Sequence, residues 1–248
     1  MSRYLIFLLA AIVVSLIGMY RIGSIARVYR GEIVAQSLPH RFNDSGKPIN
    51  VIEIKAFYVV PKNKTASVFP NWASVIEKNL KVLIKFHGVQ LRGLSTVTFD
   101  IYPEPITGKL ENLGYDTDVT QNGNPAALRA ISQELQERVF SPAGDLYRND
   151  FARANPGAYR VLYIIYEGVG AAGSENTAIL SRVFLTDPQY ANHGRTYLVH
   201  EFYHTLGLPD AYNIPQAIST DDDIMGLGRE RPIEQSYISQ NHLKGLGL

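Results

Sequence analysis

The chain has 248 residues, a formal net charge of +1 at pH 7 and no cysteine. Its length fits one ordinary domain with short attachments, and the lack of cysteine excludes a disulfide framework and a zinc site built from thiolates. Lysine and arginine are scattered between acidic residues rather than concentrated, so no nucleic-acid partner is expected.

The amino-terminal residues 4–20 form an almost wholly apolar run, with no charge between Arg3 and Arg21. As a helix this run extends about 25 Å, near the lower limit for crossing a bilayer core of roughly 30 Å, and it is long for a signal peptide. We therefore predict that residues 1–20 are a hydrophobic signal or a membrane anchor, with the uncleaved anchor preferred. Residues 21–50 show no strong period and are predicted to be a linker or a short pro-segment. The arginines that follow the run favour a body on the cytoplasmic side of a membrane.

Apolar spacing and residue type predict alternating strands and helices in the folded domain, residues 51–248. The predicted elements are, in chain order, strand 51–60, helix 72–87, strand 96–102, helix 125–140, strand 159–167, a flexible glycine-rich connection 168–173 and strand 177–186. The strands are rich in β-branched and aromatic residues, and the helices repeat apolar residues at helical spacing. The run at 159–167 is almost continuously apolar, which is typical of a strand covered on both faces.

The pattern most informative about chemistry is HExxH, formed by His200, Glu201 and His204, with Gly207 and Asp210 after it. Residues four apart on a helix share a face, so both histidines can reach one metal ion. Glu201 then lies beside the open coordination position, where it can accept a proton from a water that the metal activates. Gly207 can end the helix with a positive φ, which would let the chain turn back and bring Asp210 to the same metal. The alternative is a chance HExxH on an ordinary amphipathic helix.

A second pattern, Asp223-Ile224-Met225-Gly226, places a methionine in a turn further along the chain. Together the two patterns resemble the metzincin clan of zinc endopeptidases, in which HExxHxxGxxH or HExxHxxGxxD is followed by a Met-turn. The LGLPDAY run at residues 206–212 is most similar to snapalysin and to the immune inhibitor A family. The detailed match covers about residues 195–228.

The resemblance implies a role for each residue of the two patterns. His200, His204 and Asp210 would bind one catalytic Zn²⁺, Glu201 would be the general base, and Met225 would form the hydrophobic base beneath the metal. The resemblance also implies an α/β (α+β) fold: a mixed, mostly parallel twisted sheet with an antiparallel edge strand, an active-site helix, the Met-turn and a C-terminal helix. In that fold an extended substrate pairs with the edge strand, which we predict at residues 177–186; a purely structural strand is the alternative.

The function implied by the resemblance is that of a zinc-dependent endopeptidase. It would be a monomer that cleaves extracytoplasmic peptides or proteins, because members of the family are usually secreted, and we weigh this above the cytoplasmic side that the arginines favour. Its N-terminal anchor would contact the membrane. One alternative is a non-catalytic zinc-containing module that binds a peptide or a cell-surface partner. Another is a membrane-tethered structural protein with a fortuitous HExxH, which would bind no stoichiometric metal.

Several further residues are weaker candidates. Astacin-like members carry a tyrosine two residues after the Met-turn methionine, where this chain has Leu227, so Tyr212 and Tyr237 are the candidates for a transition-state donor. Arg182 is a candidate for polarising the scissile carbonyl. The run Asp221-Asp222-Asp223 offers oxygens to Ca²⁺, although adjacent acids more often solvate a loop. The histidines without ligand spacing are expected to be surface or capping residues: His40, His87, His193 and His242.

Overall fold

The computed structural model describes residues 38–115, 125–143, 157–211 and 222–248. The predicted anchor at residues 1–20 and most of the predicted linker lie outside these ranges. Within them, no helix is both long enough and apolar enough to cross a membrane.

Strands and helices alternate along the chain as the apolar patterns predict. The five elements predicted between residues 51 and 167 are confirmed, with boundaries shifted by no more than three residues when the π-helical turn Gln136–Phe140 is counted with the helix that it continues. The described strands and helices are β1 (His40–Arg41), β2 (Asp44–Pro48), β3 (Val51–Val60), α1 (Trp72–Gln90), β4 (Thr96–Ile101), β5 (Ile106–Thr107), α2 (Pro125–Leu135), β6 (Tyr159–Tyr166), β7 (Ala171–Ser174), β8 (Thr177–Ser181), α3 (Val183–Thr186), α4 (Gly194–Thr205) and α5 (Gln240–Gly245). Helix α2 continues into a π-helical turn, Gln136–Phe140.

The main sheet has the strand order β4-β3-β6-β8-β7, and β5 pairs with β3 beyond the end of β4. Neighbouring strands are parallel except for β7, which runs antiparallel to β8 at one edge. The mixed, mostly parallel sheet with an antiparallel edge strand is therefore confirmed.

Helices cover both faces of this sheet. Side chains alternate along each strand, so Ile52 and Ile54 of β3 face α1 and α4, whereas Phe57 and Val59 face α2. Strand β6 buries residues on both faces in the same way, which explains its continuous apolar sequence. Burial of the layer that contains Ile52 and Ile54 fixes α4, the helix that carries the HExxH pattern, against the sheet.

The prediction of an edge strand at residues 177–186 is wrong for the second half of this range and for its position at the edge of the sheet. Strand β8 ends at Ser181, and Val183–Thr186 is a helical turn. All residues of β8 are buried because it lies between β6 and β7. The edge strand is instead β7, within the segment that the sequence predicts as a flexible connection. Its alanine and glycine residues have low β-propensity, so it could not be recognised from residue type.

The hairpin of β1 and β2 packs against the ends of two helices. The N–H of Phe42 donates to the carbonyl oxygen of Leu206 at the end of α4 (2.8 Å), and the N–H of Asn43 donates to that of Gly245 in α5 (2.8 Å). A Cβ on Gly245 would overlap the Phe42 ring, so only glycine allows this approach. The fold thus begins before Val51, inside the segment predicted as a linker or pro-segment.

Candidate metal centre

Helix α4 presents the HExxH residues because its other side is anchored in the core. Leu198, Val199 and Phe202 are fully buried against the sheet. The helix ends where the sequence predicts: Gly207 has φ +89°, its N–H bonds to the His204 carbonyl (2.9 Å), and the next N–H bonds to the Tyr203 carbonyl (3.2 Å). This is a Schellman ending, and it turns the chain back toward Asp210.

Three side-chain atoms converge at the end of this turn. His200 Nε2 and His204 Nε2 are 3.1 Å apart. Asp210 Oδ1 lies 3.3 Å from the first and 3.1 Å from the second. A tetrahedral ion with bonds of about 2.0 to 2.1 Å spaces its ligand atoms by about 3.3 to 3.4 Å. The triangle therefore has the size that a single metal ion requires.

Backbone carbonyls fix which nitrogen of each ring carries a hydrogen. His200 Nδ1 lies 2.8 Å from the carbonyl oxygen of Ile224, and His204 Nδ1 lies 2.8 Å from that of Leu208. A carbonyl oxygen can only accept, so each Nδ1 carries a hydrogen, and the neutral form of each ring directs a lone pair from Nε2 into the triangle. Asp210 Oδ1 is buried there without a hydrogen-bond partner. The convergence of three acceptor atoms is unfavourable when nothing lies between them, and it becomes favourable when they surround a cation.

The charges of the cluster favour a cation as well. Burial by itself would raise the pKa of Asp210, but its contacts with His200 and His204 outweigh this and hold the pKa well below its usual range. Burial by itself would lower the pKa of His204, but the close contact with the Asp210 carboxylate and the charge of Glu201 raise it. The local field therefore stabilises positive charge beside His204 Nε2, the position that a metal ion would occupy.

Glu201 lies beside this triangle rather than in it. Its carboxylate and the ring nitrogens of His200 and His204 all lie within 4.8 Å of one another, so these three residues could also be grouped around a metal ion. Asp210 Oδ1 lies within 3.3 Å of both nitrogens, which makes Asp210 the candidate third ligand. Burial raises the pKa of Glu201, an effect that the two histidines partly oppose. A carboxylate with a raised pKa beside a metal position is suited to proton transfer.

The turn at Asp223–Gly226 lies against the same cluster. Met225 is fully buried, and its carbonyl oxygen accepts from the N–H of Ala211 at 2.7 Å. The carbonyl of Ile224 in the same turn accepts from His200. The turn thus supports one histidine and the residue next to Asp210, while the role of the Met225 side chain as a base beneath the metal stays a prediction.

Edge strand β7 runs directly beside the cluster. A Cβ on Gly173 would lie 2.7 Å from the Cβ of His204 and closer still to the backbone oxygen of Glu201. Strand β7 pairs with β8 on one side, and no strand among the described residues pairs with its other edge. The close approach of β7 to α4 therefore depends on glycine and places an open strand edge next to the candidate metal position.

The weaker candidates have other roles where the structure describes them. Arg182 forms an ion pair with Glu167, with Nη2 2.9 Å from Oε2, and also bonds to Thr186. These contacts are structural, and its role in polarising the scissile carbonyl stays a prediction. Tyr237 is half-buried, and its backbone pairs with the residues of the Met-turn. Tyr212 lies outside the described residues.

Asp223 and two histidines also differ from prediction. Both carboxylate oxygens of Asp223 accept hydrogen bonds from protein donors, so this residue does not serve the predicted Ca²⁺ site, and Asp221 lies outside the described residues. His87 and His242 are 1% and 8% exposed, not surface residues. His193 precedes the first turn of α4, as expected of a capping position. The buried roles of Asp223 and His242 depend on contacts across the fold and leave no local signal in the sequence.

Comparison with known proteins finds only a weak structural similarity. No family model matches the chain, and no curated protein matches it. Among solved structures, the chain is similar to catalytically inactive OgpA from Akkermansia muciniphila in complex with an O-glycopeptide substrate, glycodrosocin. The match has 14% sequence identity and a TM-score of 0.44 and covers 89% of this chain and 63% of that one. The chain thus spans less than two thirds of that protein, and the functional proposal rests on the geometry of the site.

Proposed function

We propose that this protein is a zinc-dependent endopeptidase. The observation that carries the proposal is the triangle of three acceptor atoms, His200 Nε2, His204 Nε2 and Asp210 Oδ1, separated by 3.1 to 3.3 Å. A chance HExxH on an ordinary helix has no reason to meet a third acceptor at this spacing.

The donor set supports zinc over harder cations. Two imidazole nitrogens and one carboxylate oxygen are borderline ligands that Zn²⁺ accepts readily, whereas Ca²⁺ and Mg²⁺ prefer sets made only of oxygen. Three protein ligands are also the number found in catalytic zinc sites, which keep the fourth position for water or substrate.

The chemistry proposed for the site is hydrolysis of a peptide bond. A zinc ion held by His200, His204 and Asp210 would supply a Lewis acid and lower the pKa of water to about 7. Glu201, buried beside the ligands, would take the proton of the attacking water and return it to the leaving amine. Its position beside the proposed ligands supports this role, because the group must both accept and release a proton in one turnover.

The proposed substrate is an extended segment of a peptide or protein. The open edge of β7 offers backbone donors and acceptors beside the metal position, so a peptide can add to the sheet as a further strand. Action outside the cytoplasm is part of the proposal, and the apolar run at residues 4–20 supports it. The same run supports attachment to a membrane.

The test uses the purified full-length chain and its Glu201→Gln variant. Zinc content is measured by plasma mass spectrometry, and a diverse peptide library is incubated with each protein and read by mass spectrometry. We expect one zinc per chain in both proteins and cleavage by the wild type alone. Zinc without cleavage in either protein would favour the non-catalytic binding module, and equal cleavage by the variant would refute the role of Glu201.

A further inference from the structure

The peptide group that joins Ile224 to Met225 connects a buried carboxylate to the metal centre. Its carbonyl oxygen accepts the hydrogen bond from His200 Nδ1 at 2.8 Å. Its N–H, which belongs to Met225, donates to Asp223 Oδ1 at 2.8 Å. The N–H and C=O of a trans peptide point in opposite directions, so Asp223 and His200 lie at opposite ends of one peptide dipole.

Asp223 is held firmly in this position. It is 1% exposed, and its second oxygen, Oδ2, accepts from His242 Nδ1 at 2.9 Å and from the N–H of Ser239 at 3.2 Å. Burial by itself would raise the pKa of Asp223, but the hydrogen bond from His242 and the other donors outweigh this and lower it. The carboxylate is therefore ionised, and both of its oxygens accept hydrogen bonds from protein donors, as a buried charge requires.

An ionised acceptor bound to the N–H of a peptide group changes the charge on the carbonyl oxygen of the same group. The negative charge of Asp223 polarises the peptide, which puts more negative charge on the Ile224 oxygen and strengthens its hydrogen bond from His200 Nδ1. A stronger acceptor at Nδ1 makes the opposite nitrogen, Nε2, a better metal ligand and fixes the plane of the ring.

The same turn reaches a second proposed ligand. The carbonyl oxygen of Met225 accepts from the N–H of Ala211 at 2.7 Å, and Ala211 follows Asp210 directly. The N–H of Ile224 is held in turn by the Tyr237 carbonyl at 2.8 Å. Displacement of the turn would therefore move His200 and Asp210 together.

We propose that Asp223, held by His242, is the positioning residue of the metal centre and acts on His200 through the Ile224–Met225 peptide. The inference rests on the proposed zinc site but not on peptidase activity. It assigns to the C-terminal helix α5, which carries His242, a part in metal binding although none of its residues touches the ligand triangle by any described contact.

The first test is the zinc affinity of Asp223→Asn in the full-length chain, measured by competition with a chelating fluorophore. Asparagine keeps an oxygen for the Met225 N–H but removes the charge and presents an amide nitrogen where Oδ2 accepted. We expect zinc to bind 10- to 100-fold more weakly, the usual cost of losing an outer-shell partner. The control is Glu167→Gln, which removes the buried charge paired with Arg182 and should leave zinc affinity within twofold.

A second variant keeps the inference testable if Asp223→Asn does not fold. His242→Phe retains a ring but removes the Nδ1–H that holds Asp223, and we expect zinc affinity to fall at least about threefold. The Nδ1 proton of His200, observed by NMR in the zinc-loaded protein, should shift in either variant, which a loss of general stability would not cause. Zinc affinity within twofold of wild type in the folded variants would overturn the inference alone. A wild-type chain that binds no zinc would overturn the proposed function and this inference together.

Discussion

The close packing of β7 on α4 makes Gly173 a sensitive point beside the proposed ligands. A Cβ at this position would lie 2.7 Å from His204 Cβ, whereas ordinary contact begins at 3.4 Å. Strand and helix would have to separate by about 0.7 Å, and by more at the Glu201 backbone, in a core that does not compress easily. For Gly173→Ala we expect a loss of about 1 to 3 kcal/mol in the free energy of unfolding, the usual cost of overpacking.

The functional loss should exceed the loss of stability. A displacement of about 1 Å at a reacting group can lower turnover by about 100-fold, and Gly173→Ala moves both Glu201 and His204. We therefore expect kcat/KM for a cleaved library peptide to fall about 100-fold at a temperature where the variant remains folded. Urea unfolding and peptide cleavage, measured on the same preparation, separate the two effects.

Gly88 provides a matched control for this substitution. It lies in α1, and a Cβ there would meet nothing within 4 Å. Gly88→Ala should therefore stabilise the protein by about 0.5 to 1 kcal/mol, because alanine restricts the unfolded chain, and should leave kcat/KM unchanged. Wild-type stability and activity in Gly173→Ala would refute the inference that β7 packs on α4 through glycine.

Three further predictions concern pH, metal removal and the third ligand. Burial lowers the pKa of His87 to about 3, while the ordinary value of 6.5 applies in the unfolded chain, so the unfolded state binds more protons between these values and stability falls as pH falls. The free energy of unfolding should drop by about 2 kcal/mol between pH 8 and pH 5 from this residue, and urea titrations of His87→Phe should lack that part of the slope. Removal of zinc with a chelator should lower Tm. Zinc at 1,000 times its Kd should restore about 4 kcal/mol of the free energy of unfolding, whereas Ca²⁺ should leave that free energy unchanged. Asp210→Asn should weaken zinc binding at least about tenfold in the chelator competition assay, because the triangle loses its negative charge; unchanged affinity would instead favour Glu201 as the third ligand.

The parts of the fold that follow from local pattern could be predicted from the sequence. Strand β6 shows its burial in its own residues, and Gly207 marks the end of α4 because a positive φ there needs glycine. The spacing of His200 and His204 indicates a shared metal for the same local reason. Strand β7 could not be predicted, because its small residues permit the close approach of α4 and have low strand propensity.

Residues whose roles come from distant contacts were also beyond prediction. His87 is buried because it stacks on Tyr203 and bonds to its hydroxyl at 3.1 Å, a contact between α1 and α4 that no local period encodes. The sequence pattern favours Asp223 as one of three acids that solvate a loop, and its partner His242 as a surface or capping residue. Their pairing appears only when the Met-turn and α5 are brought together.

The site is built so that the ligand atoms are in place through contacts made outside the helix that carries two of them. The Nδ1 atoms of His200 and His204 are held by carbonyls from two different segments, the Met-turn and the turn after α4. A helix alone would leave both rings free to rotate, so the cost of ordering them would fall on metal binding. Here the fold orders them in advance, and a metal ion gains the full attraction of three aligned acceptors. We therefore expect substitutions that displace the carbonyls of Ile224 or Leu208 to weaken zinc binding even though they leave the ligands unchanged.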